Sequence, residues 1–127
     1  MPDILIVEDN PVNQKLIAFL LTRSGYSFEI ADNGSVALLK LETTAFRLVL
    51  LDMMMPVMNG YDALTAIRAH PRLKHLPVIA LTANAMKGEE EHCRAVGCDD
   101  YIPKPYSKDQ ILGAIKTLLA RPVPPPA

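Results

Sequence analysis

Short, continuous runs of apolar residues recur along the chain, and they predict strands that are buried on both faces. The clearest runs are residues 4–7, with the sequence Ile-Leu-Ile-Val, residues 48–51, Leu-Val-Leu-Leu, and residues 77–81. Each run is too short for a helix and is typical of an interior strand in a parallel sheet. Two further segments belong nearer the sheet edges. Residues 27–30 alternate polar and apolar positions, and residues 101–103 end in a proline, which cannot donate to a strand ladder.

Apolar residues at helical spacing fill the stretches between the predicted strands. Asn10 is suited to the N-cap of a first helix, with Pro11 at its first position and Gly25 just after its end. The last helix begins after residues 107–110, Ser-Lys-Asp-Gln, which have the form of a capping box. Three other helical patterns cover about residues 34–43, 60–69 and 86–96.

Strand and helix alternate five times, and this order indicates a parallel sheet with helices on both faces. The first and third strands are the most continuously apolar and belong at the centre, while the second and fifth belong outside. The flavodoxin-like strand order 2-1-3-4-5, doubly wound with five helices, satisfies these constraints. We therefore predict an α/β fold whose ligands bind at the carboxyl ends of the first and third strands, where the strand order reverses.

The composition supports one domain and excludes several classes of protein. Of the 127 residues, 50% are hydrophobic and 21% are charged, which indicates a globular domain rather than a disordered chain. The net charge of -1 lacks the basic excess of a nucleic-acid binder, and no apolar run is long enough for a membrane span. Without an export signal, and with two cysteines outside a C-x-x-C motif, a cytoplasmic protein without disulfides is expected. The domain is predicted to cover residues 1–120, followed by a Pro-rich tail over residues 121–127.

Charged and polar side chains follow the predicted strands at the points where the strands end. Glu8 and Asp9 close the first strand, Asp52 the third and Thr82 the fourth, and Lys104 follows the fifth. Each of them alone would be typical of a helix cap or a solvated loop, but in a parallel sheet all five share one edge. Three carboxylates at close quarters repel one another and require cations. Lys104 supplies one positive charge, and because only oxygen ligands are present, Mg²⁺ is the cofactor expected to supply the others.

The chain closely resembles the receiver domain of bacterial two-component response regulators over about residues 3–120. The matching segments are residues 4–10 (ILIVEDN), 50–60 (LLDMMMPVMNG), 80–83 (ALTA) and 101–105 (YIPKP). Residues 10–13, Asn-Pro-Val-Asn, and residues 85–89 are most similar to receivers of hybrid kinases and of stand-alone regulators. The resemblance implies a signalling domain rather than an enzyme. Its implied partner is a sensor histidine kinase or a histidine phosphotransfer protein, which donates a phosphoryl group to it.

The resemblance also implies roles for individual residues at the strand ends. Asp52 is expected to be the phosphoacceptor. Asp9, Asp52 and the backbone carbonyl of Met54 are expected to bind Mg²⁺, with Glu8 acting through water. Many relatives have two aspartates where this chain has Glu8 and Asp9, and the longer side chain is a common variant of the same metal site.

A switch is implied as well. Lys104 and Thr82 are expected to contact the phosphoryl oxygens, and Tyr101 matches the aromatic residue that is coupled to Thr82 in the family. We expect an outward Tyr101 ring before phosphorylation and an inward ring after it. The change would alter the face of the fourth helix, fifth strand and fifth helix, which would contact a downstream protein. On that face lie Lys87, Glu91, Arg94 and Tyr106.

Two other classes of function use related features. A phosphatase or phosphotransferase of the haloacid dehalogenase type also has a strand-end aspartate and Mg²⁺, but it requires a second aspartate two residues later as general acid. This chain has Met54 at that position. An FMN carrier of the flavodoxin type requires a phosphate-binding loop rich in Ser, Thr and Gly after the first strand. Here the strand is followed by Glu8 and Asp9, whose charges would repel a phosphate in the absence of a metal ion.

Overall fold

Strands and helices alternate along the chain in the computed structural model, which describes residues 2–55, 59–82, 88–104 and 106–120. The strands are β1 (Ile4–Val7), β2 (Phe28–Ala31), β3 (Leu48–Asp52), β4 (Val78–Thr82) and β5 (Asp100–Pro103). The helices are α1 (Pro11–Arg23), α2 (Gly34–Thr43), α3 (Gly60–Ala69), α4 (Glu89–Val96) and α5 (Lys108–Leu119). Within these ranges no helix combines the length and the apolar character that crossing a membrane requires.

The five strands form one parallel sheet in the order β2-β1-β3-β4-β5, which confirms the predicted flavodoxin-like topology. The chain runs outward to β2 on one side of β1 and returns to β3 on its other side, so the strand order reverses between β1 and β3. Connections that leave these two strands diverge and open a crevice at their carboxyl ends. Glu8 follows β1 directly and Asp52 is the last residue of β3, so both lie at this crevice.

Two apolar cores lie on opposite faces of the sheet. Alternate residues of the central strands, such as Leu5 and Val7, pack with α2, α3 and α4, whereas Ile4 and Ile6 pack with α1 and α5. Every residue of β1, β3 and β4 is buried, and burial on both faces explains why these strands have continuous apolar sequences. The outer strands β2 and β5 are partly exposed, which accounts for their mixed composition.

Local signals set the helix ends largely as predicted. The Asn10 side chain accepts hydrogen bonds from the N–H groups of Val12 and Asn13, and it thereby caps α1. Gly25 follows the helix with a φ of 82°, a left-handed conformation that favours glycine. Residues 107–110 form the predicted capping box at the start of α5. The predicted start of the fourth helix at residue 86 and the predicted tail over residues 121–127 lie outside the described residues.

The two cysteines share a role at the end of α4. Cys93 and Cys98 are both buried free thiols, and the Cys93 Sγ donates to the Cys98 Sγ at 3.0 Å. The Cys98 N–H donates to the Cys93 carbonyl across Gly97, whose φ is 130°. This is the long hydrogen bond of a Schellman motif, and the two sulfur atoms supply the apolar contact that accompanies it. The pair therefore ends the helix.

Candidate functional site

Three acidic side chains meet at the carboxyl end of the sheet, as the sequence predicts. Carboxylate oxygens of Glu8, Asp9 and Asp52 all lie within 4.8 Å of one another. Glu8 is 1% exposed and Asp52 is 3% exposed, whereas Asp9 faces solvent. Because two of the three groups are buried, water screens their mutual repulsion poorly.

Lys104 places its ammonium group inside this cluster. Its Nζ lies 3.4 Å from Glu8 Oε2 and 3.5 Å from Asp52 Oδ2. The backbone holds the lysine there, because its N–H donates to the Thr82 carbonyl at 2.6 Å and continues the β4–β5 pairing past the end of β5. Three ionised carboxylates and one ammonium leave a formal charge of −2. The donor atoms are oxygens, so both the charge and the ligand chemistry fit one Mg²⁺ ion.

Hydrogen bonds from residues at the start of α1 hold the Glu8 carboxylate in place. Its Oε1 accepts hydrogen bonds from the Asn13 side-chain amide at 3.1 Å and from the Asn10 N–H at 3.3 Å. Burial raises the pKa of the Glu8 carboxyl and Asp52 raises it further, whereas Asn13 and Lys104 lower it. The sequence predicted neither asparagine as a site residue. One feature of the sequence could have indicated them. Both residues lie at the start of the first helix after β1, and this helical turn passes close to the end of the strand.

The β3–α3 connection orients Asp52. Its Oδ1 accepts a hydrogen bond from the Met54 N–H at 3.0 Å, while Oδ2 faces Lys104. The Met54 side chain is exposed, so the thioether projects away from the core, and its carbonyl stays a predicted Mg²⁺ ligand. The Gly60 N–H donates to the Met53 carbonyl at 3.2 Å and brings the start of α3 against the strand end.

Gly60 is required at this close approach. A Cβ at this position would overlap the Met53 Cα and lie 2.8 Å from the Asp52 carbonyl oxygen. Gly113 in α5 is the matched comparison, because a Cβ there would meet no atom within 4 Å.

Gly60→Ala should therefore destabilise the protein, by about 1–3 kcal/mol, because the backbone beside Asp52 has to move. Gly113→Ala should stabilise it by about 0.5–1 kcal/mol, because alanine favours the helix interior. Urea unfolding followed by circular dichroism measures both changes. Equal effects of the two substitutions would contradict the role assigned to Gly60.

Thr82 lies at the same sheet edge as the carboxylates. It is the last residue of β4 and fully buried, and it pairs in register with Pro103. The preceding residue, Leu81, pairs with Asp52, so Thr82 extends one position beyond the phosphoacceptor candidate. The predicted convergence of the strand-end residues thus includes Thr82.

Tyr101 lies apart from the carboxylates. Its ring packs against the core cluster that contains Cys93, and its hydroxyl is buried without a hydrogen-bond partner in the described part of the chain. Burial raises the pKa of Tyr101, and the charge of Glu89 adds to the effect. The side chain is therefore partly buried, whereas the sequence led us to expect an outward ring. Packing the aromatic ring against the core removes part of its apolar surface from water, which favours this partly buried position.

Side chains on α3 and α4 tie these helices together. The Tyr61 hydroxyl donates to the Glu89 carboxylate, and the Tyr61 and His92 rings lie 4.8 Å apart between centroids. Burial, reinforced by the hydrogen bond to Glu89, raises the pKa of Tyr61. These contacts were not predicted from the sequence.

The structure describes only part of the face that is predicted to contact a downstream protein. Arg94 forms ion pairs with Glu90 at 2.9 Å and with Asp100 at 3.3 Å, while Lys87 lies outside the described residues. Tyr106 is half-buried and close to the site. Burial raises the pKa of the Tyr106 hydroxyl to about 12, and the nearby charges of Glu8 and Asp52 add to this effect.

Comparison with known proteins gives a consistent assignment. Residues 4–116 match the family model of the response regulator receiver domain. The polar-differentiation response regulator DivK of Brucella anthropi is 40% identical over 116 residues, which cover 91% of this chain and 94% of that protein. Hybrid signal transduction histidine kinase I of Dictyostelium discoideum is 38% identical over 125 residues, 93% of this chain but 7% of that protein. The chain therefore spans almost all of one relative and a small part of another.

A solved structure has the same fold and a metal. The receiver domain of a sensor histidine kinase from Pseudomonas aeruginosa has a TM-score of 0.87 and 36% sequence identity, with 94% of this chain and 98% of that chain covered. In that structure a magnesium ion is coordinated in the active-site cleft. The haloacid dehalogenase alternative gains no support from these comparisons. Sequence similarity, strand order and the strand-end carboxylates agree, and the chain belongs to the receiver domain family of two-component response regulators.

Proposed function

We propose that this receiver domain accepts a phosphoryl group on Asp52 from a phosphohistidine of a sensor histidine kinase or histidine phosphotransfer protein, in a Mg²⁺-dependent reaction. Family membership supports a general role in a phosphorelay. The observation that carries the assignment to Asp52 is the cluster of three carboxylates within 4.8 Å, with Lys104 Nζ 3.5 Å from Asp52 Oδ2. Asp52 stands between this cation and the Met54 N–H, and both neighbours orient its carboxylate.

The reaction transfers one phosphoryl group between two nucleophiles. A carboxylate oxygen of Asp52 forms a bond to phosphorus, and the P–N bond of the phosphohistidine breaks. The imidazole keeps the electron pair of that bond, so the product is an aspartyl phosphate and a free histidine. Such transfers depend chiefly on positioning and on stabilisation of charge, and the fixed orientation of Asp52 supports the first requirement.

The residues proposed to hold Mg²⁺ are the carboxylates of Asp9 and Asp52 and the Met54 carbonyl, with Glu8 acting through water. Mg²⁺, when bound, would neutralise the carboxylates and the charge on the transferring group. The three carboxylates and the Lys104 ammonium together carry a formal charge of −2, and all the donor atoms are oxygens; both features support this assignment. The magnesium ion in the related Pseudomonas aeruginosa receiver supports it as well.

Lys104 and Thr82 are proposed to contact the phosphoryl oxygens and to transmit the phosphorylated state to Tyr101. A hydrogen bond to a charged group contributes about 1.5–3 kcal/mol. Reversing a 1:99 population requires about 5.5 kcal/mol, so Thr82 alone is insufficient and Lys104 has to contribute. The output of this switch is the face of α4, β5 and α5, which would bind a downstream protein.

We propose that the phosphoryl transfer takes place in the cytoplasm.

Labelling with acetyl phosphate tests the proposal. With Mg²⁺ present, intact-mass spectrometry should show the addition of one phosphoryl group, in an acyl phosphate linkage that is stable in acid and labile in base. EDTA should prevent labelling, because the carboxylate cluster then lacks its neutralising ion, and excess Mg²⁺ should restore it. Undiminished labelling in EDTA would contradict the proposed role of the metal.

A further inference from the structure

We propose that Asn13 is a positioning residue for the Mg²⁺ site, because it holds the Glu8 carboxylate in the orientation that the site requires. This inference rests on the proposed function. It assigns a role to the Asn-Pro-Val-Asn segment, residues 10–13, which the proposed function leaves without one.

The Glu8 carboxylate is tied on both of its oxygens. Oε1 accepts from the Asn13 Nδ2 at 3.1 Å and from the Asn10 N–H at 3.3 Å, while Oε2 faces the Lys104 Nζ at 3.4 Å. Glu8 is only 1% exposed, so water offers little replacement for a lost donor. Asn13 supplies the shorter of the two hydrogen bonds on Oε1, and it is the side chain on α1 that fixes which way the carboxylate points.

The start of α1 is in turn anchored to the end of β1. The Gln14 Nε2 donates to the Glu8 carbonyl at 2.6 Å and to Asp32 Oδ1 at 2.8 Å. The Asn10 Oδ1 accepts from the Val12 N–H at 2.8 Å and from the Asn13 N–H at 3.3 Å. Consecutive residues of the helix therefore hold the Glu8 side chain and the Glu8 backbone, and the N-cap sets the position of both.

The length of the Glu8 side chain explains why a positioning residue is useful here. Glutamate has one more rotatable bond than aspartate, so fixing its carboxylate loses more conformational entropy. A hydrogen bond from Asn13 selects one orientation before a metal binds, which reduces the loss at binding. An aspartate at position 8 has a shorter reach, and its carboxylate would not extend to the same donor. The contribution of Asn13 should therefore depend on glutamate at position 8.

Asn13→Ala tests this role. The variant should bind Mg²⁺ about tenfold more weakly by isothermal titration calorimetry, the effect expected when a partner of a metal ligand is removed. In acetyl phosphate labelling, the Mg²⁺ concentration for half-maximal rate should rise by the same factor. The rate at saturating Mg²⁺ should stay within about twofold of the parent rate, because the reacting groups are unchanged. Thr22→Ala, an exposed substitution near the other end of α1, is the matched control and should change none of these values.

A double-mutant cycle separates positioning from a general effect on α1. In a Glu8→Asp background, Asn13→Ala should cause little further loss of Mg²⁺ affinity. Asn13→Leu, which keeps the approximate shape of asparagine without its donor, should reproduce the loss seen with alanine, and thermal unfolding by circular dichroism checks that each variant is folded. The inference is wrong if Asn13→Ala binds Mg²⁺ like the parent, or if the full tenfold loss persists in the Glu8→Asp background. A parent protein that binds no Mg²⁺ would overturn the proposed function as well as this inference.

Discussion

Asp52→Asn should abolish phosphoryl labelling by acetyl phosphate, the largest effect expected of any single substitution in the site. The amide keeps the shape of the carboxylate and can still accept the hydrogen bond that the Met54 N–H donates to Oδ1. It lacks the negative charge that makes the oxygen a nucleophile and that attracts the metal. The substitution also removes a like charge beside the buried Glu8 carboxyl, so the variant should remain folded.

Intact-mass spectrometry after incubation with acetyl phosphate and Mg²⁺ measures this effect, with circular dichroism as the check on folding. Asp62→Asn is the matched control, since Asp62 is an exposed aspartate in the first turn of α3 and its substitution changes the net charge equally. The control should be labelled like the parent. Labelling of Asp52→Asn at the parent level would show that another residue accepts the phosphoryl group.

Arg68→Ala should cause the largest loss of stability that we expect from a side chain outside the site. The Arg68 guanidinium forms an ion pair with Asp99 at 2.9 Å and donates to backbone carbonyls of two separate loops. Those carbonyls belong to Leu73, Lys74, Leu76 and Gly97. Asp99 also accepts from the Val78 N–H at 2.9 Å, so the network joins the end of α3 to the amino ends of β4 and β5.

Removing this guanidinium leaves half-buried carbonyls and a carboxylate without their partner, which should lower the free energy of unfolding by about 3 kcal/mol. Arg94→Ala is the control, because its ion pairs with Glu90 and Asp100 are exposed and contribute about 0–1 kcal/mol. Urea unfolding compares the two variants. The folded fraction of Arg68→Ala should still be labelled on Asp52, which lies at the opposite end of the sheet. Similar losses for both arginines would contradict the structural role of Arg68.

The amino-acid sequence by itself determined the order of elements, the strand order and the residues gathered at the sheet edge. Continuous apolar runs marked β1 and β3 as central, since only strands buried on both faces have such sequences. The carboxyl ends of parallel strands share one edge, so Glu8 and Asp52, far apart in sequence, could be placed together before any distance was known. Helix ends followed from local chemistry, as at the capping box of α5.

Only the tertiary structure decided which neighbours hold these groups and how the side chains are turned. The hydrogen bond from Asn13 to Glu8, the arginine network at Arg68 and the buried hydroxyl of Tyr101 depend on distances between separate elements. A periodic pattern places a residue on a face of its own helix or strand, but it carries no information on the side-chain rotamer or on the atom that lies opposite. Polar contacts weaken steeply with small changes in distance and angle, so these contacts become apparent only when the packed elements have brought donor and acceptor together.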